Sequence, residues 1–272
     1  VMKVDPEIVP TAVKYMAALS FGAPGICLLL VLRFFSEGSG HTKPTMYMGL
    51  LGIVLNVPLN YVLMFGKLGF PQLGAQGCGI ATSIVIWAQL LMTFLYVRYH
   101  RHYREFELFS RWDWPQRRAL YKLLRIGVPI GTGIFVEGSL FVGAALLIAR
   151  LGALPASAHL IAINYSALMF MIPLGVASAV TTRVGNAIGR NEPWQARYAG
   201  LVGLFVIMLT QTVSAGSMLL IPEFIVRIYT NDAEIMALAV SLLFYSAIFQ
   251  YADGIQVFAA AALRGLKDTM VP

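Results

Sequence analysis

The sequence predicts an all-α, polytopic membrane protein, and three observations predict it. Of its 272 residues, 58% are hydrophobic and 12% charged, with a mean hydropathy of +0.73. Twenty basic and 13 acidic side chains cannot clothe a soluble globule this apolar, which excludes a soluble enzyme. The charges fall between long uncharged runs, and a run of roughly 20 apolar residues crosses about 30 Å of hydrocarbon as a helix. These runs lack polar and apolar alternation, so a membrane β-barrel, whose strands need about 10 alternating residues, is excluded as well. The net charge of +7 would raise nucleic acid as a partner. The basic residues sit in short clusters between apolar runs, however, so no nucleic acid is expected. Cys27 and Cys78 lie inside apolar runs with no CxxC or Cys/His spacing; they predict small core residues, with neither a disulfide nor a metal site.

Seven spans follow in order. The first, residues 15–32, carries Pro24 beside Gly25, which predicts kinked backbone that lines protein or water. In the second, residues 44–66, Pro58 stands between Asn56 and Asn60; it removes a backbone donor and predicts a bend toward a cavity. The third is the uncharged run 68–97. Residues 98–125 form a basic segment interleaved with aromatic residues such as Tyr103, Trp112 and Tyr121, read as a cytoplasmic connection whose last part begins the next helix. His100 and His102 flank Arg101 there, and without a third ligand they predict solvated imidazoles. The fourth span, 126–149, holds one acid, Glu137, and Pro129 near Gly131. The fifth, 151–182, is uncharged apart from His159 and includes Pro173 and Met169-Phe170-Met171, read as core or as an adaptable pocket wall. The sixth is 198–222, and the seventh, 235–263, holds one acid, Asp253.

Orientation follows from the loops. Fifteen of the 20 basic residues fall after spans one, three, five and seven, while five, Lys3, Lys14, Lys67, Arg150 and Arg227, fall on the other side. Cytoplasmic loops retain positive charge, so the N-terminus is predicted outside and the C-terminus inside. The sequence lacks an initiator Met and a signal-peptide pattern and stops at Val271-Pro272 past a basic turn, which predicts a segment of a longer protein. Span one closes with Leu32-Arg33, Gly40 and Thr42-Lys43-Pro44, and span seven with Leu263-Arg264-Gly265, Lys267-Asp268-Thr269 and Pro272. Such parallel repeats mark many transporters.

A carboxylate in the middle of a membrane helix costs at least about 2.5 kcal/mol on insertion scales and marks by default an ion site, a pathway or a proton relay. Glu137 and Asp253 are two such acids, with Gln250 and Gln256 three residues either side of Asp253 and no basic residue mid-span to pair with either. The alternative is a protonated acid that ties helices together. Asn56 and Asn60, at i and i+4, share one helix face. Their amide oxygens with the two carboxylates would make a sodium cage if the helices converge; otherwise they serve as interhelical hydrogen bonds.

Taken with these residues, Gly74-Ala75-Gln76-Gly77, Pro129-Ile130, Ala158-His159-Leu160 through Asn164, Phe170-Met171-Ile172-Pro173-Leu174 and Arg183-Val184-Gly185 form a string that resembles the multidrug and toxic compound extrusion (MATE) family, in its NorM-like bacterial branch. The resemblance implies twelve helices in two six-helix lobes related by a pseudo-two-fold axis along the membrane normal. Residues 1–97 would supply the last three helices of the N-terminal lobe, 98–125 the cytoplasmic inter-lobe loop and 126–272 the first four helices of the C-terminal lobe. It further implies that Glu137 and Asp253 match the family's acidic cation-site residues and Asn56 and Asn60 the polar pair that approaches them. Phe249 stands where sodium-coupled members tend to carry Tyr; it keeps a cation-attracting ring and lacks a hydroxyl ligand, so the coupling ion is either Na+ or H+. Phe249, Gln250, Gln256, Asn164 and Met169 are the expected substrate-cavity residues. The function so implied is not enzymatic: a monomeric secondary transporter of the bacterial inner membrane, without cofactor or metal beyond the coupling ion, exporting small organic, mainly cationic drugs by antiport. A lipid-linked flippase of the same superfold would want a basic cavity. A seven-helix receptor has the right span count, and a channel would differ by conducting.

Overall fold

The computed structural model describes residues 8–104, 106, 108, 114 and 116–268. Ten helices order these residues: α1 (Ile8–Ser20), α2 (Ala23–Gly38), α3 (Lys43–Phe65), α4 (Ala75–Tyr99), α5 (Arg101–Arg104), α6 (Arg117–Ala149), α7 (Ala153–Gly189), α8 (Pro193–Leu220), α9 (Pro222–Arg227) and α10 (Ala233–Gly265). Among the described residues six of them, α3, α4, α6, α7, α8 and α10, are each long and apolar enough to cross a membrane, and α1 with α2, bent by 41° at their break, is a seventh if the pair makes one span. The chain is a polytopic membrane protein of helices. It divides into two compact units, Val1–Trp114 and Pro115–Pro272. The expectations that rest on Lys3, Arg111, Trp112, Thr269, Val271 and Pro272 fall outside the described residues.

In the first unit the run 15–32 resolves into two helices. The break has a local cause: the Gly22 N–H turns to Leu19 O at 2.9 Å and leaves Ala18 O without its helical donor. Pro24 then opens α2 in its first turn, where no N–H is needed. The carbonyls at the break are covered from α4, Ser83 Oγ donating to Ala18 O at 2.7 Å and Trp87 Nε1 to Phe21 O at 3.1 Å. Similarly, Gln89 of α4 donates to Met48 O of α3 at 3.0 Å. Charge-free runs understate helix length. Lys14 lies within α1, and Arg33 lies within α2 with Glu37 2.7 Å away.

Two side chains depart from what the sequence predicts. His102 is not solvated: its ring stacks on His41 with centroids 3.4 Å apart, because α5 folds back and buries Tyr103, 2% exposed, whose Oη donates to Ser36 Oγ at 3.1 Å. Nor is Cys27 a core residue; it is exposed, and Cys78 is half-buried.

In the second unit α10 packs against both α7 and α8. Ala158, Ile161, Met218, Val226, Leu243 and Ala247 belong to one buried cluster, and Val180, Val184, Ala187 and Ala196 form another. Side chains join the helices in pairs: Tyr165 with Ser217 at 2.9 Å, Thr181 Oγ1 donating to Ala261 O at 2.9 Å and Gln211 Nε2 donating to Gln250 O at 2.7 Å. The helix α6 lies against α7 with no residue of its own buried. It begins nine residues before the run 126–149, so Arg117, Lys122 and Arg125 are helical, and α7 likewise runs on past Thr182 through Arg183.

Candidate functional site

The second unit holds an open-sided cavity of about 570 Å³ walled by α6, α7 and α10. Helical periodicity builds the wall. From α10 come Leu242, Tyr245, Ser246, Phe249, Gln250 and Asp253, and from α7 His159, Ala162, Ile163, Ser166, Ala167 and Phe170. Both sets follow the spacing i, i+3, i+4, i+7, i+8, i+11, one stripe of an α-helix. From α6 come Glu137, Phe141 and Ala144, again one stripe. Glu137 and Asp253 therefore share one cavity, both half-buried, and neither has an ion-pair partner among the described residues. Four rings, Phe141, Phe170, Tyr245 and Phe249, supply apolar and quadrupolar surface, and no Lys or Arg is among the lining residues. The arrangement suits a ligand that is apolar, aromatic and positively charged.

Of the expected cavity residues, Phe249 and Gln250 line the wall. Phe249 is 54% exposed, while Gln250 is 3% exposed with neither Oε1 nor Nε2 hydrogen-bonded. Three others lie outside the lining. Asn164, one residue past Ile163, leaves the α7 stripe and accepts a hydrogen bond from Tyr229 Oη at 3.3 Å. Met169 sits at the edge of that stripe and packs against the core. Gln256 lies beyond the cavity along α10 and is exposed. His159 is absent from the expected cavity residues, yet its Nε2 is buried without a partner at the wall. Its spacing to Ser166 and Phe170 is the signal that reveals it.

Asn56 and Asn60 belong to the first unit. Asn60 Nδ2 donates to Asn56 Oδ1 at 2.7 Å, the i, i+4 contact their spacing allows. Asn60 Oδ1 is buried and accepts no hydrogen bond, so one amide oxygen of the pair is left for another donor or a cation.

A family model described as MatE matches residues 1–62 and 129–272. The chain is 48% identical over 269 residues to "Probable multidrug resistance protein NorM" of Xanthomonas campestris pv. campestris, covering 99% of this chain and 59% of that relative. It is 43% identical over 270 residues to "Multidrug resistance protein PmpM" of Pseudomonas aeruginosa, covering 99% and 57%. In fold it is similar to the crystal structure of the eukaryotic MATE transporter AtDTX14, with a TM-score of 0.86 at 20% identity over 98% of this chain and 59% of that one. The MATE transporter NorM-NG, solved in complex with a monobody, matches with a TM-score of 0.68 at 34% identity over 81% of this chain and 48% of that one. The chain thus spans less than two thirds of the length of the curated relatives it matches.

Proposed function

This chain belongs to the MatE family of multidrug and toxic compound extrusion proteins, and from that premise we propose that the whole protein is a monomeric secondary transporter of the bacterial inner membrane, exporting small organic cations in exchange for Na+ or H+. The observation that carries the reading is the single cavity shared by Glu137 and Asp253. Two carboxylates facing one low-dielectric space are costly when both are ionised and uncompensated. A proton, a sodium ion or the cationic head of a drug relieves that cost, and loading one displaces another. Exchange follows from this competition, with the loaded forms favouring different access states.

The walls fit the same role. Phe141, Phe170 and Phe249 hold aromatic surface by stacking and cation–π contact, and Ser166 and Ser246 offer neutral oxygen to a small cation. In the first unit Asn56 and Asn60 offer amide oxygen to a cation, with Asn60 Oδ1 the open one. No bond is made or broken, and no cofactor enters beyond the coupling ion.

The test replaces each acid by its amide in the protein encoded by the full gene, reconstituted at matched levels in proteoliposomes. Glu137→Gln and Asp253→Asn keep shape and hydrogen-bonding capacity while removing charge. Export under a sodium or a proton gradient is expected to fall in both variants, and the gradient whose effect is lost names the ion. Parent-like coupling to both gradients in both variants would remove the assignment.

A further inference from the structure

The helix α8 lends no residue to the cavity wall, yet it carries Gln211, a fully buried amide at 0% exposure. Primary amides are rarely placed in an apolar interior without a specific partner. The partner here is unusual. Gln211 Nε2 donates at 2.7 Å to the main-chain oxygen of Gln250, in the middle of α10, an oxygen that the helical ladder already supplies with the Gly254 N–H. The side chain adds a second donor to a carbonyl that did not need one.

Gly254 makes the approach possible. A Cβ there would stand 2.8 Å from Gln211 Nε2 and 3.0 Å from its Cγ, so the amide sits in a notch that any larger residue would fill. The two α10 residues that hold Gln211 each follow a residue of the cavity wall. Gly254 follows Asp253 directly, and Gln250, whose carbonyl is taken, follows Phe249. The side-chain amide of Gln250 meanwhile is buried with no hydrogen-bond partner. A bond at this point resists rotation of α10 about its axis. Rotating a helix by about 20° carries a side-chain tip ~5 Å from the axis through roughly 2 Å, enough to take a carboxylate out of a cation site.

We propose that Gln211 is a positioning residue: lodged in the Gly254 notch and bonded to Gln250 O, it fixes the azimuth of α10 at which Asp253 faces the cavity. The proposal rests on the reading of that cavity as the ion and substrate site. Gln211 touches neither ion nor substrate in this account, and its effect passes through α10.

The experiment uses Gln211→Met, which keeps length and removes the donor, and Gly254→Ala, which crowds the same bond from the other side, each in the full-gene protein. Asp253→Asn is the control. Read out are the driving-ion concentration at half-maximal export, the maximal export rate and the thermal unfolding midpoint in detergent. Outer groups that orient ion ligands are worth on the order of 10-fold in ion affinity. Both variants are therefore expected to need about 10-fold more ion, with the maximal rate nearly kept. A residue that only packs helices would lower the unfolding midpoint and leave the ion requirement alone, and that result would overturn the proposal. If Gln211→Met does not accumulate, Gly254→Ala decides in the same way; if neither accumulates, a positioning role that spares the fold is refuted. An inert Asp253→Asn would instead mean that the cavity reading has failed. An ion-insensitive Asp253→Asn beside a parent-like Gln211→Met would remove the positioning role alone.

Discussion

At the scale of single residues, chemistry and position are legible to different degrees. Glu137 and Asp253 declare themselves because an unpaired acid is rare in an apolar run. Phe249 and Gln250 follow from their place on the turns around Asp253. Gln211 does not: one Gln in the run 198–222 looks like any polar residue in a helix, and its meaning lies in the Gly254 notch on another helix. Asn164 and Met169 fall off the cavity wall because a motif fixes sequence position and not helix face. Phe249 also supports a prediction. Phe249→Tyr adds a hydroxyl oxygen one turn before Asp253, within the class of ligands that hard cations prefer. Any gain should appear as a lower sodium requirement under a sodium gradient, measured as half-maximal export in proteoliposomes. Improved proton-driven export in the same variant would contradict a ligand role for that hydroxyl.

The elements are legible in number and blurred at their ends. Long uncharged runs mark hydrocarbon, but helices continue into the interfacial layer, where Lys and Arg reach water along their stems. Hence Lys14, Arg117 and Arg183 are helical although each lies outside the charge-free runs. Pro24 and Gly25 signal a kink, whereas the two side chains that stabilise the break, Ser83 and Trp87, come from α4 and have no local signature. Ser83→Ala should expose this. Removing the donor leaves Ala18 O, part-buried at the break, without this partner, for a loss of about 1 kcal/mol, read as a lower unfolding midpoint in detergent. Stability equal to the parent would show that the break is held by Gly22 and Pro24 alone.

For the whole molecule, sidedness rests on the fifteen-to-five division of basic residues. Single cysteines placed in 98–125 and 190–192 of the full-gene protein should react with an impermeant maleimide only after the cell is opened, while those beside Lys67 and Arg227 should react in intact cells. Labelling of 98–125 from outside would reverse the orientation. In the proposed exchange, organic cation and coupling ion compete for the same two carboxylates. Equilibrium binding of a fluorescent organic cation to the purified full-gene protein, titrated with sodium at fixed pH and with protons at fixed sodium, tests it most directly. One of the two ions should weaken binding competitively in the parent, and the competition should disappear when Glu137→Gln and Asp253→Asn are combined. Binding of the organic cation that is independent of both ions, or competition that survives the double replacement, would contradict the claim.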